Sequence, residues 1–402
     1  MKPIVNSSSW QRLGEPEEAK ALELRTVAAM VYGDEVVPSQ ERIERIGDAD
    51  LPRHPLQVRC SVLCDAIARG KGCMALPRVE RCRMLTTTLV MGILTCAAFA
   101  PLTAGAEPLL DEGVRAAILE RPDGRLAHIE SEYNDIYINK RRNELTMSFQ
   151  LKGWHYTESV ADLRNPDRLV LRYSQLMSIA TIYPEEPKKK ILMLGLGGGS
   201  ISTYLGRFLP DAEIDTVEID RRVIEAAKQY FGLRETKRVR YLDGDGRVFL
   251  NRNKALYDLI LLDAYRGGFV PFHLLTREFY ELVKQRLTPG GAVASNIHDG
   301  TKLYHSTVRT LGEVFPGVDL YPSGEGEVIA VATKRVLPGK EGLASRAAAL
   351  QEHYNFLHSL PLLLKRRMED ASSPATTGEL ITDDFAPVNL YDTIGRQAPR
   401  RK

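Results

Sequence analysis

The sequence predicts an α/β protein, a Rossmann-like doubly wound sheet preceded by a small β-hairpin domain, and three observations carry that reading. Residues 191–194 form a short apolar run that breaks into a glycine-dense turn, Gly195, Gly197, Gly198 and Gly199, ahead of a helix-forming stretch over 200–208. Later strand-like runs over 215–218, 239–243, 257–262 and 292–296 each end at or just before a polar side chain, Glu218, Asp245, Asp263 or Asn296. Upstream, 128–139 alternates apolar and polar positions, 140–143 is a charged turn and 145–151 returns, the pattern of a hairpin.

The run 191–194 has the length and composition of a strand covered on both faces. Its glycines let the backbone turn sharply and approach a ligand with no Cβ in the way. The helix after them presents unpaired N–H groups to whatever lies over the turn. The next strand closes a βαβ unit, and a carboxylate about 20 residues past such glycines is placed to hold the two hydroxyls of a ribose. Glu218 fits that role. The third strand runs into Gly244-Asp245-Gly246, and the fourth ends at Asp263. Residues 277–286 read as a helix stopped by Leu287-Thr288-Pro289-Gly290-Gly291, a turn that needs Pro and Gly before the strand 292–296. Ligands in open α/β sheets sit beyond the carboxyl ends of the strands, so the four polar side chains are expected at one edge. The motif G-x-G-G-G-S matches the dinucleotide fingerprint imperfectly, which leaves a NAD-binding domain as the rival. Gly244-Asp245-Gly246 and the Pro-Gly-Gly turn favour instead an S-adenosylmethionine-methyltransferase-like nucleoside fold.

The segments Tyr133-Asn134-Asp135-Ile136, the glycine turn, Val217-Glu218-Ile219-Asp220, Gly244-Asp245-Gly246, Leu261-Leu262-Asp263-Ala264 and Leu275-Thr276-Arg277-Glu278-Phe279-Tyr280 follow one another in a specific order. That order resembles the spermidine/spermine synthase family, the polyamine aminopropyltransferases, from about residue 131 to residue 333. The stretches 153–159, 263–275 and 380–389 look like a divergent, spermidine-synthase-like branch of it. The resemblance implies decarboxylated S-adenosylmethionine or S-adenosylmethionine as co-substrate, held at Gly195, Gly197, Gly198, Gly199 and Gly246. It places Glu218 on the ribose hydroxyls, Asp245 on the adenine amino group, and Asn134 where the family usually has a donor-binding Gln. Asp263 takes the position of the proton acceptor, the other substrate is a small-molecule amine, and the expected assembly is a homodimer. Aminopropyl transfer is an in-line attack by a neutral amine on the carbon next to a sulfonium. A carboxylate there orients the amine, takes its proton and offsets positive charge. The plainer reading of Asp263 is a solvated strand-end cap.

Several positions depart from the family pattern. Gly198 stands where an Asp usually contacts the donor's aminopropyl group, and Arg266 where a second Asp usually helps to hold the acceptor. Tyr173 is followed by Ser174-Gln175 rather than His-Glu. Fewer carboxylates and an added cation weaken capture of a polyamine dication, so putrescine is not the expected acceptor; Arg266 pointing simply to solvent is the equal alternative. Asp383 and Asp384 precede an apolar, proline-containing segment, and are candidates to restore the charge if that segment folds back over the opening. Two alternatives stay open: a methyltransferase using S-adenosylmethionine, and a non-catalytic nucleoside-binding protein of the same fold.

With 402 residues, 44% hydrophobic and 26% charged, the chain is an ordinary globular sequence of two or three units. A net charge of +2 gives no push toward nucleic acid. The cysteines, Cys60, Cys64, Cys73, Cys82 and Cys96, all precede residue 97 at spacings unlike a zinc site. No metal, disulfide framework or thiol mechanism is expected in the catalytic region. The uncharged stretch 84–106 follows Arg78, Arg81 and Arg83 and ends in Ala104-Gly105-Ala106. That is the anatomy of a secretory signal, with a membrane anchor or a buried helix as the other readings. Signals begin a chain, so translation from Met74 or Met84 is one explanation, with 1–73 a mis-assigned extension. Export or membrane association is favoured over a cytoplasmic location, in tension with adenosyl donors that are made in the cytoplasm.

The organisation expected is a poorly ordered or mis-assigned extension over 1–73, a signal-like or anchor segment over 74–106, and a small β-rich domain over 107–186. A nucleoside-binding catalytic domain over 187–335 and a helical extension and tail over 336–402 complete it. Within these, 168–183 and 341–365 read as helices, and the loop 266–276 as a lid or a plain surface loop. Trp154 and Tyr173 read as core or as the acceptor side of the site.

Overall fold

In the computed structural model residues 107–185, 189–301, 303–369 and 378–384 are described, all within the unit Thr103–Lys402. The expected extension over 1–73 and the signal-like or anchor segment over 74–106 lie outside the described residues. Among the described residues no helix is long and apolar enough to cross a membrane.

After helix α1 (Glu112–Glu120), capped by Asp111 accepting the Val114 N–H at 3.0 Å, the chain forms four antiparallel strands paired in sequence order. They are β1 (Gly124–Glu130), β2 (Asp135–Arg141), β3 (Glu144–Leu151) and β4 (Trp154–Asp162). The single hairpin expected over 128–151 is therefore part of a four-stranded meander. Residues 128–139 do not run as one strand, because Ser131 folds the chain back: its Oγ accepts the Asn134 N–H at 2.8 Å and its N–H reaches the Asn134 carbonyl at 2.9 Å. At the β3–β4 turn, Lys152 and Gly153 have φ of 50° and 81°, the left-handed pair that matches strand twist in a two-residue hairpin. Alternation puts Ile136, Ile138, Leu145, Met147 and Phe149 on one face, buried with Ile118, Val223, Ala226 and Phe231.

The second sheet has seven strands: β5 (Lys190–Leu194), β6 (Glu213–Glu218), β7 (Val239–Asp243), β8 (Tyr257–Leu262), β9 (Leu287–His298), β10 (Val318–Pro322) and β11 (Glu327–Thr333). Their order is β10-β11-β9-β8-β5-β6-β7, with β7, β6, β5, β8 and β9 parallel and β11 and β10 antiparallel at one edge. The period of two builds both cores from the same strands. Ile191, Met193, Leu259 and Leu261 face one, and Leu192, Leu194, Ile260 and Leu262 face the other. Helices α2 (Arg172–Met177), α3 (Ser200–Phe208) and α8 (Lys340–Tyr354) cover the first. Helices α6 (Arg277–Arg286) and α7 (Tyr304–Val314) cover the second, and Leu250 of α5 (Gly246–Arg252) joins them. The doubly wound fold is thus as expected. The chain leaves β5 toward β6 on one side and returns to β8 on the other, so the switch point of the sheet lies between β5 and β8.

Three local expectations are corrected. Thr288–Gly291 is an irregularity inside β9 rather than a turn ahead of it: Leu287 pairs with Tyr257, the register shifts, and Ala292 pairs with Leu259. The helix over 168–183 begins at Arg172 and tightens to a 3-10 helix over Ser178–Ile182. The helix over 341–365 is two helices, α8 and α9 (Leu360–Leu364), because Asn355 ends α8 in the left-handed region at φ 50°.

Candidate active site

A cavity of about 600 Å³ opens at the carboxyl ends of β5, β6 and β8, walled on its other side by residues 154–160 of β4. Of the positions expected to bind the donor or take the proton, all except Gly198 and Gly199 line it: Asn134, Gly195, Gly197, Glu218, Asp245, Gly246 and Asp263. Gly198 and Gly199 lie beneath, buried in the turn. Gly199, at φ 75°, starts α3, and a Cβ there would be 2.4 Å from the Leu233 side chain. At Gly198 a Cβ would come within 2.7 Å of the Phe231 ring and 2.9 Å of Ser159 Oγ.

At the end of β6, Glu218 is buried and both its oxygens hold the backbone. Oε2 accepts the Leu196 N–H at 2.9 Å and Oε1 the Asp220 N–H at 3.0 Å. Burial pushes its carboxyl up to about 7 against the pull of those two N–H groups. The glycine turn and the Glu218 carboxylate are therefore one hydrogen-bonded piece. Asp245 caps α5 by accepting the Val248 N–H at 2.8 Å, and its other oxygen meets His273 Nε2 at 3.0 Å. The His273 contact and the cap hold its carboxyl below the usual range. Asn134 donates from Nδ2 to Asp220 at 2.9 Å, so that amide ties the β1–β2 turn to the end of β6.

Asp263, at the end of β8, is not a solvated cap. Asn296 donates to its Oδ1 at 2.9 Å. Burial pushes its carboxyl up to about 6, with Glu327 adding to the rise and Asn296 and the Tyr173 hydroxyl opposing it. A carboxylate near neutrality at a strand end in a shielded cleft is suited to taking a proton at ordinary pH.

Glu158 on β4 and Glu327 on β11 reach the same cavity, and neither was singled out from the sequence. Glu158 is pushed well above the usual carboxylate range by burial first, then by Asp263 and Glu218. The nearest sequence signal was an acid inside a strand, which becomes a site residue only once the meander docks beside the glycine turn. Tyr173 packs against the first core and also lines the pocket, its hydroxyl donating to the Glu158 carbonyl at 3.1 Å, and Trp154 is 43% exposed at the rim.

Two charge expectations change. Arg266 is exposed, and its Nε donates to the Tyr133 carbonyl at 3.1 Å, fastening the 266–276 loop to the β1–β2 turn. Asp383 is taken up by Arg247, which donates to its Oδ1 at 2.8 Å, and neither Asp383 nor Asp384 lines the cavity. Among the described residues lining the site, Glu158, Glu218, Asp245, Asp263 and Glu327 face one arginine, Arg266. Away from it, on the outer face of the meander, His128, Glu130 and Asp135 bring potential metal-ligand atoms within 4.8 Å of one another. There His128 pairs with Asp135 and stacks on Tyr137 at 4.3 Å.

Residues 171–322 match the spermine/spermidine synthase domain. A polyamine aminopropyltransferase of Vibrio vulnificus is 29% identical over 272 residues, covering 65% of this chain and 89% of that protein. One from Chromobacterium violaceum is 33% identical over 207 residues, covering 50% of this chain and 79% of its own length. The crystal structure of a probable spermidine synthase from Corynebacterium glutamicum superposes with a TM-score of 0.54 at 20% identity, covering 67% of this chain and 99% of that one, which supports the fold. With the glycine turn, Glu218 and Asp263 arranged around one cavity, these matches place the chain in the spermidine/spermine synthase family of polyamine aminopropyltransferases.

Proposed function

We propose that the protein transfers an aminopropyl group from decarboxylated S-adenosylmethionine to a small amine, with Asp263 as the proton acceptor. The observation that carries the reading is Asp263 itself: held by Asn296, raised to about 6, and set in a cavity with Glu158 and Glu327. The neutral amine nitrogen attacks the aminopropyl carbon bonded to sulfur. The C–N bond forms as the C–S bond breaks, and the electron pair goes to the sulfonium, which leaves as the neutral thioether methylthioadenosine. The new ammonium gives its proton to the Asp263 carboxylate. Holding amine and carbon in line supplies the orientation term of the rate, and the acids stabilise the positive charge that moves from sulfur to nitrogen.

Glu218 takes the ribose hydroxyls, Asp245 and Asn134 bound the adenosine, and Gly195, Gly197 and Gly246 let the backbone close on it. Glu327 supplies the acceptor with a counter-charge that the sequence alone did not reveal, and Arg266 is occupied by a carbonyl. An amine with a second cationic group, a diamine or longer polyamine, is the acceptor this charge pattern favours. Purified protein incubated with each adenosyl donor and a panel of amines tests the reading. Methylthioadenosine release only with the decarboxylated donor supports it; release of S-adenosylhomocysteine from S-adenosylmethionine would replace it with methyl transfer.

The homodimer rests on the family resemblance, and export or membrane attachment on residues 84–106. Light scattering on the purified protein and N-terminal sequencing of the natural one test these two readings, with a cytoplasmic full-length chain counting against export.

A further inference from the structure

Glu158 is a carboxylate the reaction as described does not use. It sits on β4 beside the glycine turn: its carbonyl is 3.6 Å from where a Cβ on Gly197 would be, and the next residue's Ser159 Oγ is 3.3 Å from Ser200 Oγ at the start of α3. Its side chain lines the cavity, and its Oε1 is shielded from solvent with no hydrogen-bond partner among the described residues. An ionised oxygen in that state is costly unless a cation meets it. Glu158, Glu218 and Asp263 line one cavity, close enough for both of the others to raise the Glu158 carboxyl. In a donor whose ribose lies on Glu218, the aminopropyl arm runs on from the carbon that faces Asp263, and its terminal ammonium, two carbons further, needs an anionic partner within the same cavity.

We propose that Glu158 selects the donor by pairing with the terminal ammonium of the aminopropyl arm. The inference rests on the aminopropyl-transfer reading and adds a residue to it. The glycine turn cannot supply this charge from position 198, because a side chain there would meet the Phe231 ring at 2.7 Å. The same carboxylate also works by exclusion. S-adenosylmethionine differs from the decarboxylated donor by a carboxylate on the carbon that bears the amine, and that group would be pressed against Glu158. Discrimination thus combines an attraction for one donor with a repulsion against the other.

The test is calorimetry on the full chain with decarboxylated S-adenosylmethionine, S-adenosylmethionine and methylthioadenosine, which lacks the arm, comparing wild type with Glu158→Gln. The expected result is decarboxylated-donor affinity weakened about 10- to 100-fold, the loss of one charge-assisted hydrogen bond. Methylthioadenosine should stay within about twofold, since it makes no contact that the substitution removes. S-adenosylmethionine should be unchanged or tighter. Equal weakening of decarboxylated donor and methylthioadenosine would show a structural role and overturn the assignment, as would unchanged decarboxylated-donor affinity. Should the Gln variant not fold, Glu158→Met, which keeps the volume and drops the charge, is read in the same way. Wild type that binds the decarboxylated donor but transfers nothing would remove aminopropyl transfer and leave the Glu158 contact standing. Binding of none of the three would remove both.

Discussion

Gly195 and Asp263 meet backbone to backbone: a Cβ on Gly195 would lie 2.1 Å from the Asp263 carbonyl oxygen, and the Asp263 N–H donates to the Leu194 carbonyl at 2.9 Å. The glycine turn and the proposed proton acceptor are therefore positioned by a single contact at the switch point of the sheet.

Gly195→Ala should be severe for that reason. The position has φ of 94°, and the clash is with backbone that no side-chain rotation relieves. The expected cost is roughly 2–4 kcal/mol in stability and about 100-fold in kcat from displacing Asp263. Thermal melts and steady-state rates measure the two, and a variant with wild-type rate would contradict the proposed coupling.

Asp263→Asn keeps the shape and removes the base. The turnover rate should fall about 10²- to 10⁴-fold, with methylthioadenosine binding held within about twofold. In the wild type, Asp263 must be ionised to accept a proton, so kcat should rise with pH through about 6. A profile flat between pH 5 and pH 7 in the wild type would speak against Asp263 as the acceptor.

The raised carboxyls also set the slope of stability with pH. Asp263 is raised from 3.8 to about 6 and Glu218 from 4.5 to about 7, so between those limits the folded state binds more protons than the unfolded one. Stability from these groups is present at the acid end and is lost as pH rises through the folded values. Asp263→Asn should flatten the Asp263 part of this fall between about pH 4 and pH 6, seen as a melting-temperature difference from wild type that grows with pH.

Glu327→Gln should raise the acceptor KM about tenfold, the scale of one hydrogen bond to a charged group, and leave donor affinity unchanged. Initial rates at varied amine, with the donor saturating, separate the two. A change in donor affinity alone would move Glu327 to the other end of the cavity.

Asp383→Ala combined with Asp384→Ala should leave acceptor KM within about twofold, because Arg247 occupies Asp383 and neither acid lines the cavity. Its effect should appear instead as easier proteolysis near 378–384. A large rise in acceptor KM would restore the charge role expected from the sequence.

Glu218, Asp245 and Asp263 were legible because strand ends of an open α/β sheet share one edge, so sequence order along the strands already implies proximity. Glu158 was not, since β4 belongs to a different sheet, and its approach to the glycine turn depends on how Phe149 and Phe231 pack the meander against α4 (Arg221–Ala226) and the π-helical turn after it. The turn at Ser131 was masked by an alternation that continues through it, although Ser131 and Asn134 are turn-forming residues. The break at Asn355 was equally present as a residue that tolerates left-handed backbone, but Ala and Leu on either side carried the helical pattern across it. Arg266 shows the reverse error: its charge was read correctly, and its destination, the Tyr133 carbonyl, was not encoded locally.

The π-helical turn Ala227–Phe231 sets the Phe231 ring under Gly198. An engineer wishing to place an aspartate at position 198 would have to cut Phe231 down first, since either order of changes passes through a hole or a collision and only the hole is survivable. The aromatic ring thus acts as a latch that keeps a carboxylate out of the turn, because no single substitution at position 198 makes room for one.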